Sequence, residues 1–239
     1  MKIRIGHLYP DLLNLYSDRG NIRCLMQRCK WRGIEAETIE YKLEDDIDFE
    51  NIDIILLGGG SDREQKLVCS RLTEIKDDFS KYVERQGVVI AVCGGYQLLG
   101  KSYKMGDEII EGLNIVDIKT ESGEGRLIGN IVIQSDLFDM PLVGFENHGG
   151  RTIIGDVKPL GKVISGFGNN DTDKQEGIIY KNVIGTYLHG PLLPKNPHLC
   201  DYLLEKALSN KYKNIKLAPL DDTLELRANK FIVDKYIKN

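Results

Sequence analysis

Cys93 ends the apolar run "GVVIAVC", and Gly94 and Gly95 follow it before a helical pattern begins. A strand that passes through two glycines into a helix turns tightly enough to lift the preceding side chain above the sheet, the geometry of a nucleophile elbow. Amides at the helix start would face the sulfur, favour thiolate over thiol near neutral pH, and offer the Gly94 N–H to an oxyanion. A second glycine cluster, Gly58, Gly59 and Gly60 in "LLGGGSDRE", ends another apolar run. In a parallel sheet the two clusters share one edge, and Gly59 can supply a further oxyanion N–H. The competing reading is that Cys93 is a small buried residue at a strand end and the glycines are ordinary turns.

A thiol nucleophile needs a base, and the chain has four histidines. His189 in "GTYLHGP" closes an apolar strand just before Gly-Pro, a loop start at that same edge, and is the first choice. His198 follows "PKNP" at a helix start and reads as solvated or capping; His7, late in the first strand, reads as structural. His148 belongs to the polar, glycine-flanked turn "GFENHGGRT" with Glu146, Asn147 and Arg151, a turn able to coordinate a small polar substrate.

The elements that must position these groups are those of an α/β fold with a central, mostly parallel sheet and helices on both faces. "KIRIGHLY", "IEAETIEY", "IDIILLGGG" and "GVVIAVC" read as four strands, the last buried on both faces because it does not alternate. Asp18 is placed to cap a helix through "NIRCLMQRCKWRG" that stops at Gly33, and a second helical region runs from Asp62 to about Gln86. After Gly100 the strands are short and glycine-punctuated without intervening helices, which predicts an antiparallel or mixed extension. "HLCDYLLEKALSNK" and "DDTLELRANKFIVDKYI" read as closing helices, and no linker or repeat divides residues 1–239 into more than one domain.

A net charge of −4, with no basic bulk, gives no sign of nucleic acid as a partner. No apolar run approaches the roughly 20 residues of a membrane span, nor does "MKIRIGHLYP" carry a leader-like apolar core, so a cytoplasmic chain without direct membrane insertion is expected. Cys24, Cys29, Cys69, Cys93 and Cys200 form no C-x-x-C pair and have no histidine at zinc-ligand spacing, so reduced thiols and no metal are expected. There is no phosphate-binding G-x-x-x-x-G-K-[ST] loop and no dinucleotide fingerprint, and no cofactor is expected.

With these residues in view, the chain resembles the class I glutamine amidotransferases, whose hydrolysing domain carries a C-x-G-x-Q motif, here Cys93-Gly94-Gly95-Tyr96-Gln97. "GFENHGG" and "YLHGP" are similar to segments of the cobyric-acid-synthase-like branch. Six motifs in order, "LNLYSDRGN", "GGGSDREQ", "CGGYQLLG", "GFENHGGRT", "GNNDTDKQEG" and "GTYLHGPLLPKNP", look like the glutaminase subunits of lipid II isoglutaminyl synthases. The resemblance implies a flavodoxin-like fold and a subunit that hydrolyses glutamine to glutamate and ammonia. It also implies a heterodimer with a MurT-like, Mur-ligase-like partner that uses ATP to amidate the D-glutamate α-carboxyl of the lipid II stem peptide. On this reading Cys93 and His189 are expected to carry the catalysis and Gly59 and Gly94 the oxyanion hole, with Gln97, Glu146 and Arg126 as candidates for holding the substrate. Arg126 suits a carboxylate by its bidentate fork, and an ordinary exposed strand-end charge is the competing reading.

In one place the chain departs from most of the class. Most members place a glutamate two residues beyond the catalytic histidine, whereas here Gly190 is followed by Pro191. The acid that orients His189 must come from elsewhere, with Asp18, Glu146 and a carboxylate of the ligase partner as the three sources. Two further functions use related chemistry: amidation of corrinoid side chains, where the glutaminase usually lies downstream of a P-loop domain in a longer chain, and a free-standing cysteine hydrolase. A non-catalytic scaffold domain is the third alternative.

Overall fold

Five strands run parallel in one sheet, and their order sets where the cysteine and the histidine meet. The structure, a computed structural model, describes residues 1–14, 18–105 and 108–237. Leu15, Tyr16 and Ser17 of the "LNLYSDRGN" motif lie outside the described residues. In chain order come β1 (Lys2–Leu8), α1 (Arg19–Trp31), β2 (Glu35–Tyr41), β3 (Ile54–Leu57), α2 (Asp62–Glu74), α3 (Lys76–Glu84), β4 (Val88–Val92) and α4 (Gly94–Leu98). There follow β5 (Ser102–Met105), β6 (Glu108–Glu111), β7 (Ile118–Gln134), β8 (Leu142–Ile154), β9 (Gly161–Ser165), β10 (Gln175–Glu176), β11 (Ile178–Tyr180), β12 (Val183–Thr186), α5 (Pro197–Tyr212) and α6 (Thr223–Ile237).

The first sheet has the order β11-β12-β4-β3-β1-β2, parallel except for β11. β3 and β4 are buried at every residue, as unbroken apolar runs covered on both faces require. The step from β1 to β2 and the step from β3 to β4 run in opposite directions across the sheet. Right-handed crossovers therefore put α1 on one face and α2 with α3 on the other. α1 buries Asn21, Ile22, Leu25, Arg28 and Cys29, a stripe at helical spacing. Its buried Arg28 donates through Nε and Nη2 to Asp201 of α5, at 2.6 Å each, and through Nη1 to Asp222 at 2.5 Å, so one guanidinium ties α1 to α5 and to the start of α6. The helical region from Asp62 divides at Ile75, and Glu64 closes a capping box by accepting the Ser61 N–H at 2.8 Å.

The antiparallel extension is more than an edge strand on this sheet. β11 does extend the first sheet, but the rest forms a second sheet of order β10-β9-β7-β5-β6, with β8 on β7. The long β7–β8 hairpin shifts register between Ser122 and Leu127. An antiparallel bridge between Phe145 of β8 and His189 joins the two sheets, with N–H···O distances of 3.0 and 2.9 Å.

Candidate active site

Cys93 lies one residue past β4 in a conformation with φ 52° and ψ −108°, a left-handed φ that a side-chain-bearing residue adopts only under constraint. The constraint is visible on both sides. The Cys93 N–H donates to the Thr186 carbonyl at the end of β12 at 2.9 Å, and the Gly95 N–H donates to Gly58 O at 3.0 Å. The turn is crowded, and Gly95 is required because a Cβ there meets backbone, whereas at Gly94 the Gln65 side chain would have to swing aside. A Cβ on Gly95 would lie 2.5 Å from Leu57 O, and one on Gly94 would lie 2.1 Å from Gln65 Nε2. The sequence-predicted elbow is thus present, pinned to the glycine loop after β3 and to the strand that leads to His189.

The side chain opens onto a cavity of about 810 Å³ lined by Cys93, Gln65, Gln97, Arg126, Asn147 and His148, among others. A larger cavity of about 1080 Å³ between α1 and β2 is lined by neither cysteine nor serine. Gln97 Nε2 donates to the Tyr187 hydroxyl at 3.0 Å, and that hydroxyl also pairs with Thr152 Oγ1 at 2.6 Å. Arg126 donates from Nε and Nη2 to the side chain and backbone oxygens of Asn147, 2.7 Å each, which aims the guanidinium over the cavity mouth. The His148 ring stacks on Tyr187 with centroids 3.6 Å apart and planes 5° from parallel.

His189 is 1% exposed and does not itself line the cavity. Burial, then the charges of His148, Lys195 and Arg126, lower it to about 4, so it is neutral at physiological pH and able to take a proton. The Cys93 thiol departs from the sequence expectation. Burial, then the charge of Asp18, pushes it up to about 12, outweighing the Gly94 N–H and Arg126, which act in the opposite sense. α4 has only five residues, and its amides do not compensate a sulfur removed from water.

Glu146 lies behind the cavity wall, with Oε2 3.7 Å from Nε2 of His148. It is 0% exposed, and its two oxygens accept the N–H groups of Phe167 at 2.8 Å and Gly168 at 2.9 Å. It holds the 166–168 turn instead of facing the cavity. Asp18 stands at the start of α1 without a side-chain cap; its Oδ2 accepts the Gly59 N–H at 3.1 Å. The hydrogen bonds of both carboxylates weighed as the third triad member thus run to backbone amides. His198 is not solvated: its ring packs edge-on against Phe138 with centroids 4.8 Å apart, and burial lowers it to about 4. His7 is buried in β1, as a structural residue should be.

Sequence reasoning passed over Tyr187, Gln65 and Glu176. Glu176, inside "GNNDTDKQEG", is fully buried and accepts from Thr186 Oγ1 at 2.7 Å and the Tyr187 N–H at 2.8 Å; burial raises it to about 8. Tyr187 had a signal in its place two residues before His189; Glu176 and Gln65 had none, because neither stands at a recognisable functional position of its motif. Among the described residues no cluster of histidine, cysteine, aspartate and glutamate is arranged to hold a metal ion. No helix among them is long and apolar enough to cross a membrane.

A cysteine elbow at the carboxyl edge of a parallel sheet, with a buried neutral histidine just past the adjoining strand β12 and a glycine loop past β3 on the other side, is the arrangement of a cysteine-dependent hydrolase such as a glutamine amidotransferase. The chain belongs to that group more narrowly: residues 4–197 match the model of the CobB/CobQ-like glutamine amidotransferase domain, and the protein is a member of that family. It is 48% identical over 235 residues, 98% of its own length and 96% of the relative's, to the Staphylococcus aureus protein named lipid II isoglutaminyl synthase (glutamine-hydrolyzing) subunit GatD. The Streptococcus pneumoniae protein of the same name is 41% identical, over 93% of this chain and 87% of the relative. A crystal structure of a glutamine amidotransferase of Thermotoga maritima shares the fold, with a TM-score of 0.54 at 14% identity over 99% of both chains.

Proposed function

We propose that this chain, as a single domain spanning residues 1–239, is the glutaminase subunit of a lipid II isoglutaminyl synthase, acting in the cytoplasm as a heterodimer with a MurT-like, Mur-ligase-like partner. The observation that carries the reading is Cys93 at φ 52° on one sheet edge with His189 and the Gly59 loop, in a chain similar along 98% of its length to a subunit named for that activity. Cys93 attacks the side-chain carbonyl of glutamine after His189 takes the thiol proton. The Gly94 and Gly59 N–H groups receive the developing oxyanion, each such donor lowering the barrier by about 3 kcal/mol. His189 returns the proton to the departing ammonia, and water activated by the same ring then hydrolyses the thioester to glutamate. Arg126 over the cavity mouth suits the substrate's α-carboxylate, and Gln97, fixed by Tyr187, suits its polar head.

The resting electrostatics set the terms for this chemistry. With burial pushing the thiol up and His189 down, the thiolate–imidazolium pair lies well above the neutral pair before the attraction between the two ions is counted. Substrate, and a partner carboxylate where most of the class carry a glutamate, are the contributions that lower this gap. The ammonia released passes to the partner, which activates the D-glutamate α-carboxyl with ATP. The test is amidation of lipid II by the reconstituted pair. Glutamine and ATP together should support it, Cys93→Ala should abolish it with glutamine, and ammonium salt should restore it to the variant. Amidation by the Cys93→Ala pair from glutamine at the wild-type rate refutes the assignment.

A further inference from the structure

The oxyanion donor on the glycine loop is already engaged. The Gly59 N–H donates to Oδ2 of Asp18 at 3.1 Å, across 41 residues of sequence. Asp18 is 0% exposed, and its other oxygen, Oδ1, is buried without a hydrogen-bond partner among the described residues. The fit is close: a Cβ on Gly58 would lie 2.7 Å from Oδ2. A carboxylate buried with one oxygen satisfied and one orphaned is costly and is not explained by helix capping, since Asp18 makes no side-chain cap to α1. Its one strong interaction places a negative oxygen on the amide that should receive the oxyanion of the tetrahedral intermediate.

We infer that Asp18 is a positioning residue that occupies the oxyanion hole at rest and must release the Gly59 N–H before the glutamine carbonyl can be activated. The inference rests on the glutaminase reading and adds a gate to it. The carboxylate opposes turnover in two ways: it competes for the donor, and its charge disfavours the Cys93 thiolate beside it. Its place in the fold couples it to the base. Two residues further along, Gly20 packs on Pro191, where a Cβ would lie 2.5 Å from the ring, and Asn21 Oδ1 accepts the Leu193 N–H at 2.9 Å. A movement of the first turn of α1 that withdraws Asp18 therefore moves the segment that follows His189 as well.

Two variants separate the two effects. Asp18→Asn retains an oxygen for the Gly59 N–H without the charge, whereas Asp18→Ala removes both. Iodoacetamide alkylation of Cys93, followed against pH by peptide mass, reports the thiol without requiring a glutamine pocket; Arg126 and Glu176, which also act on the sulfur, are common to all forms. The midpoint should fall in both variants, making alkylation at fixed pH about threefold faster for each unit it drops, because the roughly tenfold gain in thiolate is partly offset by its weaker nucleophilicity. Glutamine hydrolysis by the isolated chain should rise in the order wild type, Asp18→Asn, Asp18→Ala. An unchanged midpoint in both variants, or hydrolysis by a folded Asp18→Ala chain no faster than wild type, overturns the inference. Should Asp18→Ala fail to fold, the Asp18→Asn midpoint decides alone. If the midpoint falls but no form hydrolyses glutamine even with the ligase partner, the glutaminase reading fails and the proximity of Asp18 to the thiol stands.

Discussion

Replacing Gly20 with alanine sets two physical effects against each other at the loop behind the proposed base. Gly20 is the second residue of α1, where alanine is normally the better helix former by about 1 kcal/mol, so an open site would be stabilised. The site is not open. The new methyl would lie 2.5 Å from Cγ and 2.9 Å from Cβ of Pro191, whose ring has no rotamer by which to withdraw. Restoring ordinary carbon–carbon separation of roughly 3.5 Å requires Pro191 to move by about 1 Å. That displacement falls two residues after His189, and a misplacement of about 1 Å at a reacting group costs on the order of 100-fold in rate. The expected outcome is a fall of that order in kcat for glutamine with the ligase partner present, little change in KM, and unchanged Cys93 alkylation by iodoacetamide. A variant that melts higher than wild type and retains kcat within about twofold would refute the argument that this contact sets the position of His189.

Other consequences follow from the same coordinates. Because burial holds His189 near 4, it should stay neutral and active as a base until the pH falls to that value; the acid limb of kcat/KM should lie near 4, and a limb near 6.5 would contradict the burial argument. Glu176 is raised to about 8 from a carboxylate's ordinary 4.5, so the stability it contributes is complete below 4.5 and is lost as pH rises through 8. Glu176→Gln should therefore melt higher than wild type at pH 9, with little difference at pH 5, in paired thermal scans. Arg28→Met leaves Asp222 without its buried partner, and urea titration should show a loss of about 3–5 kcal/mol; a loss below 1 kcal/mol would mean that the α1–α5 clamp is dispensable.

The parallel sheet and its nucleophile are legible in the sequence because both are local signals. Unbroken apolar runs announce β3 and β4, and Gly-Gly after a strand announces the turn, where backbone crowding by Leu57 makes Gly95 obligatory. The second sheet is legible only as a run of strands. Its pairing depends on contacts such as the shifted register between Ser122 and Leu127, which composition does not specify. Charges and burial are read least well. Glu146 looked like a ligand to substrate until its oxygens met the amides of Phe167 and Gly168, and Asp18 looked like a cap until its oxygen met Gly59. The Cys93 thiol was expected to ionise from its place before a helix, but a five-residue helix cannot offset complete burial. For the two carboxylates a partner far away in sequence decides the chemistry, and for the thiol it is burial.

The most direct measurement of the central claim is the reaction of the chain, alone and with its ligase partner, with a diazoketone analogue of glutamine, the adduct being located by peptide mass. The account predicts a single adduct on Cys93, suppressed by glutamine and formed faster with the partner present. An adduct on another cysteine, or none on Cys93 in the complex, would contradict the assignment of this turn as the glutaminase nucleophile.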